Sequence, residues 1–266
     1  MKAPPFAYAK PATLAEMFDL LDRPGAKVLA GGQSLIPTLN MRLSSPELLV
    51  DITGLSALRG ISMEQGAVRI GALVTHAEIE INSLIKTHLP LLAQAVTHVA
   101  HPAIRNRGTI GGSMALADPA AEYPACAVAL NAMFILKSKN GERQVAAADF
   151  FKGLFETALA PGDIVAAVEF PAIGKNERSV FLELTRRHGD YAIIGLAAHR
   201  SSETRLVFFN AGPAPVLVKG NSLEEAKKAL ARDLDPPADL YNTSSTKRHL
   251  AGVLLERAWT TLSKPH

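Results

Sequence analysis

The sequence predicts an α+β protein in two parts, and three observations carry that prediction. The first fifty residues alternate helix and strand signals, the mark of a small α/β unit. From Leu58 onward the pattern changes to hairpins and separate helices. Near Pro171 to Asn176, "PAIGKNERS" combines Pro, Gly and charge, as a linker does. The expected organisation is a larger region over 1–172, with subdomains of about 1–55 and 56–172, and a smaller sheet-plus-helices domain over 173–266.

In the first unit, Thr13 and Glu16 form a capping box ahead of "LAEMFDLL" at helical spacing. "KVLA" is a short buried strand, "LIPTLNMRL" a short helix with Pro37 near its start, and "ELLVDI" a second strand. In the middle block, "LRGISMEQGAVRIGA" reads as two strands around Gln65-Gly66. Thr75 and Glu78 make another capping box, and "LPLLAQAVTHVA" is a helix. A helix near "YPACAVALN", a hairpin turning at Asn140-Gly141 and a strand "GDIVAAVEFP" complete this block. Beyond the linker, "SVFLELT", "YAIIGLAAHR" and "TRLVFFNAGPAPVLVKG" supply three or four strands. Ser222 and Glu225 then cap "LEEAKKALARDL", and a last helix covers roughly Ser245 to Leu262.

Composition narrows the function. Hydrophobic residues make up 48% and charged residues 20%, an ordinary globular balance. The net charge is +3, and no basic run is longer than a pair, so no stripe for nucleic acid is present. The single cysteine, Cys126, excludes an internal disulfide and a cysteine-ligated iron–sulfur cluster, and its apolar setting suggests an inert core thiol. "MKAPPFAYAKP" has two early prolines and no apolar core, so a secretory signal is not expected. No apolar stretch is long enough to span a bilayer, and a cytoplasmic location is expected.

Two stretches share an unusual grammar. "KVLAGGQSLIP" and "RGTIGGSMALADPAAE" each place a glycine pair and a serine between apolar segments. Glycine tolerates positive φ and leaves no Cβ between backbone and ligand. Such a turn between strand and helix can aim several N–H groups at an anion. Two of them brought together could hold a pyrophosphate; taken singly, each could be only a tight loop. There is no G-x-x-x-x-G-K-[ST] and no G-x-G-x-x-G, so neither a P-loop nor a Rossmann dinucleotide site is expected. His98 and His101 lack metal-ligand spacing, and no G-x-S-x-G is present.

"LAGGQSLIPTLNMRL", "HPAIRNRGTIGGSMALADPAAEYPA" and "LTRRHGDYAIIGLAAH" together resemble the FAD-binding medium subunit of molybdenum hydroxylases. That family includes xanthine dehydrogenase, carbon monoxide dehydrogenase and nicotine dehydrogenase flavoproteins, and the resemblance covers nearly the whole chain. It implies a two-subdomain FAD-binding domain of the vanillyl-alcohol-oxidase type, then a smaller C-terminal domain of antiparallel sheet plus helices. It implies noncovalent FAD, since no His or Cys stands at an attachment position.

By the same resemblance, Ala30, Gly31, Gly32, Gln33, Ser34 and Leu35 wrap the pyrophosphate. Thr109, Ile110, Gly111, Gly112 and Ser113 close on it from the other side. Gly111→Val is then expected to abolish FAD retention with the fold largely kept. The family's ligand carboxylate, usually Asp, falls at Glu122, with Asp118 a rival. Val165 lies near the flavin, Tyr191 against the ring, and Asp190 fixes the loop that carries it. No catalytic residue and no metal ligand is expected in the chain.

The resemblance implies a large molybdopterin subunit, a small subunit with iron–sulfur clusters, and an external electron acceptor. The chain would be the FAD-carrying electron-transfer subunit. The alternatives are a degenerate scaffold or cofactor-insertion flavoprotein without turnover of its own, and a self-contained flavin oxidase.

Overall fold

The computed structural model describes residues 2–264. The first unit contains β1 (Ala7–Ala9), α1 (Leu14–Leu21), β2 (Ala26–Leu29), α2 (Leu35–Asn40) and β3 (Leu48–Asp51). Its three strands form a parallel sheet in the order β1-β3-β2. Thr13 caps α1, accepting from the Glu16 N–H, while the Glu16 carboxylate reaches one residue further back to the Ala12 N–H. The expected box is therefore made with a shifted partner.

The middle block begins with β4 (Ile61–Glu64) and β5 (Ala67–Gly71), joined by Gln65 and Gly66, both at positive φ as a primed hairpin turn requires. Then follow α3 (His76–Ile81), α4 (Ser83–His88), α5 (Pro90–Ala95), α6 (Pro102–Arg105), α7 (Ile110–Leu116) and α8 (Glu122–Ala129). The chain returns through β6 (Met133–Ser138), β7 (Gly141–Ala146), α9 (Ala147–Phe150), β8 (Phe151–Gly153), β9 (Glu156–Thr157) and β10 (Ile164–Pro171). Strands β4, β5, β10, β6 and β7 make an antiparallel sheet in that order. Thr75 and Glu78 form the full reciprocal box at the start of α3.

The helix expected over "LPLLAQAVTHVA" stops at Ala95. Beyond it the N–H groups of His98 and Val99 donate to Ala95 and Val96, three residues back, so the chain tightens into turns. That change points His98 toward the C-terminal part.

The last part is an antiparallel sheet of β11 (Arg178–Leu184), β12 (Ile194–Arg200), β13 (Thr204–Phe209) and β14 (Val216–Lys219), with α10 (Leu223–Asp233) and α11 (Ser244–Leu262). Strand β12 begins only at Ile194, so "YAI" lies in the preceding loop rather than in the strand.

Strand β10 and the C-terminal sheet knit the parts together. Along β10 the bulge between Val165 and Ala167 changes the face presented: Ile164 and Ala166 lie in the core of the first unit, Val168 and Phe170 in the middle core. In the C-terminal sheet, Phe181, Ala197, Val207 and Phe209 join the middle core; Val180, Leu196, Leu206 and Phe208 pack with α10 and α11. Helix α8 is buried along its whole length between these layers, which is why "EYPACAVA" has no polar face. Cys126 is fully buried there, and burial pushes its thiol pKa well up. Arg205 of β13 closes the far end of α8, donating to the carbonyls of Val128 (2.8 Å) and Ala129 (3.2 Å).

Candidate functional site

The two glycine segments meet. A Cβ on Gly31 would lie 2.1 Å from the Arg107 carbonyl oxygen and 2.8 Å from the Gly108 Cα. One on Gly112 would lie 3.9 Å from the Ala30 Cβ. Parallel strand β2 delivers the first segment to this point, and α7 begins the second.

The segments differ in what they offer. In the first, Gly32 has φ +72°, a left-handed turn that lets the Ile36 N–H donate back to its carbonyl and start α2. The N–H groups of Gly31, Gly32, Gln33 and Ser34 have no partner among the described residues. Gln33 Nε2 donates to the Gly31 carbonyl at 3.2 Å, and Ser34 makes no side-chain cap. Leu35 opens α2. Successive free N–H groups beside a left-handed glycine form an anion nest.

The second segment is a brace. The Ile110 N–H donates to Val74, Gly111 to Ala72, Gly112 to the Thr109 hydroxyl and Ser113 to the Thr109 carbonyl. All four donors are spent, and neither glycine has positive φ. The expected closing of Thr109–Ser113 on the phosphates from the other side cannot draw on these four N–H groups. Gly111 is needed for backbone contact, since a Cβ there would stand 2.4 Å from the Ala72 Cβ. Gly111→Val would therefore disrupt the fold, contrary to the expectation that it leaves the fold largely kept. The Ser113 hydroxyl, without a hydrogen bond among the described residues, remains available beside Gly112.

Beyond α7, Ala117 takes a left-handed φ of 51° and turns the chain into Asp118. The Asp118 carboxylate accepts from the Ala120 N–H at 2.9 Å. Tyr191, 70% exposed, lies beside it; partial burial of the ring and the Asp118 carboxylate raise its pKa. Glu122, the first residue of α8, is buried, and that burial pushes its carboxyl pKa up to about 8. The Glu183 and Asp118 carboxylates act in the same direction, while His98 opposes them. Asp118, Glu122 and Tyr191 are thus brought together.

Val165 is 5% exposed and sits within the middle core at the bulge of β10, where register shifts before Ala167. Asp190 is exposed, and its carboxylate makes no hydrogen bond among the described residues. The expected anchoring of the loop falls to other residues. Gly189, at φ +86°, packs under the Ala100 carbonyl and the His101 ring. Asn210, itself at φ 50°, donates its side-chain amide to the carbonyls of Ala192 (2.6 Å) and Ile193 (3.3 Å). Its N–H donates to the Pro119 carbonyl at 2.7 Å, tying the Tyr191 loop to the Asp118 turn. Only the Asn-Ala-Gly ending of "TRLVFFNAG" hints at this role.

Among the described residues, no group of His, Cys, Asp and Glu side chains is arranged to hold a metal ion, and no helix is long and apolar enough to cross a membrane. The donor set fits a diphosphate: free N–H groups and serine hydroxyls where two backbones converge, with no Cβ intruding.

The sequence matches the FAD binding domain in molybdopterin dehydrogenase over residues 4–173. It is 33% identical to the carbon monoxide dehydrogenase medium chain of Hydrogenophaga pseudoflava, covering 97% of both chains. It is 34% identical to subunit alpha of the 6-hydroxypseudooxynicotine dehydrogenase complex of Paenarthrobacter nicotinovorans, over 97% of this chain and 94% of that one. The fold superposes on a chain of reconstituted CO dehydrogenase from Oligotropha carboxidovorans with a TM-score of 0.93, 30% identity and 98% coverage of both. With a matching family domain across most of its length and full-length relatives above 30% identity, this chain belongs to the family of FAD-binding subunits of the molybdopterin dehydrogenases.

Proposed function

We propose that this chain holds FAD noncovalently with its diphosphate on Ala30–Leu35, braced by Thr109–Ser113. As the electron-transfer subunit of a cytoplasmic molybdenum hydroxylase, it would take electrons from the iron–sulfur clusters of a small partner subunit. It would pass them to an external acceptor, while a large molybdopterin subunit oxidises the substrate. The observation that carries the cofactor assignment is the run of unpartnered N–H groups at Gly31–Ser34 against the Arg107–Gly108 backbone. The multisubunit role draws on relatives whose names describe medium chains and dehydrogenase complexes.

Bound FAD supplies reversible one- and two-electron chemistry; the protein supplies binding, orientation and electrostatics. The Gly31–Ser34 amides neutralise diphosphate charge without needing a lysine or arginine. Ser34 and Ser113 add hydroxyl donors. Asp118 and Glu122 offer carboxyl groups to ribityl or ribose hydroxyls, Glu122 as a neutral donor at pH 7 and Asp118 as an acceptor. Tyr191, on the exposed loop tied down by Asn210, stands ready to cover an isoalloxazine face and limit water access to it. Val165 contributes to the apolar wall behind α7.

The test is direct. Purified chain, or the complex containing it, should elute with stoichiometric flavin absorbance, and acid precipitation should release all of that flavin into the supernatant. Colourless protein that takes up no added FAD overturns the assignment. Co-purification with one large and one small cysteine-rich polypeptide tests the assembly.

A further inference from the structure

Reduction of a flavin consumes protons as well as electrons, and one-electron carriers deliver only electrons. A group of ionisable side chains, His98, Glu183 and Glu122, gathers at the start of α8. His98, with 31% of its side chain exposed, brings Nδ1 to 3.0 Å from Glu183 Oε1. Its ring lies 5.8 Å from that of His188 and 5.2 Å from that of Phe181, which fixes its orientation. The Glu183 side chain is only 3% exposed, and its Oε2 is buried with no hydrogen-bond partner.

A structural ion pair explains Oε1 but leaves Oε2 without a role, and a buried unpaired carboxylate oxygen is costly. Glu122, also buried, lies within electrostatic reach of both Glu183 and His98. The groups facing Glu122 are Glu183 on β11, His98 after α5, Asp118 before α8 and Tyr191 before β12, with Tyr123 and Cys126 on its own helix. Those facing His98 are Glu183, Glu122 and His188.

We propose that His98, Glu183 and Glu122 form the path by which protons from solvent reach the flavin site. The proposal rests on the cofactor assignment above. Two electrons from one-electron donors and two protons from water convert the oxidised ring to its dihydro form. In each transfer Glu122 gives its proton toward the ring and is reprotonated by Glu183, whose carboxyl rotates to present on the Oε2 side the proton that Oε1 received from His98 Nδ1; His98 is reprotonated from solvent. Every group returns to its starting state when the next proton arrives, so only N–H and O–H bonds form and break.

The test uses FAD-loaded protein mixed with reduced methyl viologen, a donor of electrons without protons, in an anaerobic stopped-flow instrument with a pH-indicator dye in weak buffer. In the wild type, proton uptake should keep pace with flavin bleaching. Glu183→Gln should retain full flavin absorbance while uptake slows by ~10²-fold, the usual scale for losing a positioned proton-transfer group. His98→Ala should slow uptake similarly, and added imidazole should restore it, which a purely structural histidine would not permit. Wild-type uptake rates in both variants at full flavin content overturn the path. Loss of flavin from Glu183→Gln, or failure of imidazole to rescue His98→Ala, also overturns it by assigning these residues to the scaffold. A wild-type chain without flavin instead overturns the cofactor assignment, and with it this path.

Discussion

Gly31 and Arg107 touch backbone to backbone: a methyl group on Gly31 would stand 2.1 Å from the Arg107 carbonyl oxygen. Gly31→Ala must therefore push the two segments apart. Overpacking against rigid backbone costs roughly 1–3 kcal/mol. Thermal unfolding should show that loss, and flavin titration should show FAD affinity falling with it.

The two glycines of the second segment should behave differently. Gly111→Ala places a Cβ 2.4 Å from the Ala72 Cβ and should destabilise the chain by roughly 1–3 kcal/mol, with or without flavin. Gly112 has ordinary helical backbone, and its nearest obstacle is the Thr109 hydroxyl at 3.0 Å. Gly112→Ala should leave the melting temperature of the flavin-free protein within a few degrees of wild type. Any drop in flavin content of that variant then reports on the ligand side of the turn.

His76 should make the brace acid-sensitive. Burial, reinforced by Arg105, lowers its pKa to about 4 from 6.5, and Nδ1 has no partner. The folded chain binds fewer protons than the unfolded one between those values, so stability falls as pH drops from 6.5 toward 4. The full effect is of the order of 3 kcal/mol. His76 donates its N–H to the Gly108 carbonyl, so the loss falls on the segment that meets Gly31. Urea midpoints at several pH values should show a shallower acid limb for His76→Gln than for wild type.

Glu122 should act in the opposite sense. Its folded pKa of about 8 lies above the ordinary 4.5 because of burial. The folded state holds the extra proton between those values, so stability is full below 4.5 and declines as pH rises to about 8. Glu122→Gln should remove that decline, gaining on wild type by a few kcal/mol at pH 8.5 in flavin-free protein. Parallel curves for the two proteins would refute the buried neutral carboxyl.

Local signals were legible wherever one short segment sets its own geometry. The Thr75–Glu78 box, the Gln65-Gly66 turn and the alternation in β11 to β13 all involve neighbours a few residues apart. The site was legible in part. The residue types of the first glycine segment match its free donors, and Asp118, Glu122 and Tyr191 do converge. The unequal roles of the glycine segments were not, because Gly111 is constrained by Ala72 and Gly31 by Arg107, partners dozens of positions away. Asn210, just past β13, and Glu183, in β11, escaped notice for the same reason: their partners come from elsewhere in the chain.

By itself the sequence determined the class of the fold, because capping and turn chemistry act over a few residues, and its three motif segments carried the resemblance to the family. Tertiary structure alone decided which N–H groups remain free for a ligand and which are consumed holding the molecule together. It also decided that Glu122 is buried beside Glu183 and His98. Hydrogen-bond donors and protons are shared among whatever groups the folded chain brings within a few ångströms, and that set exists only once distant segments have packed.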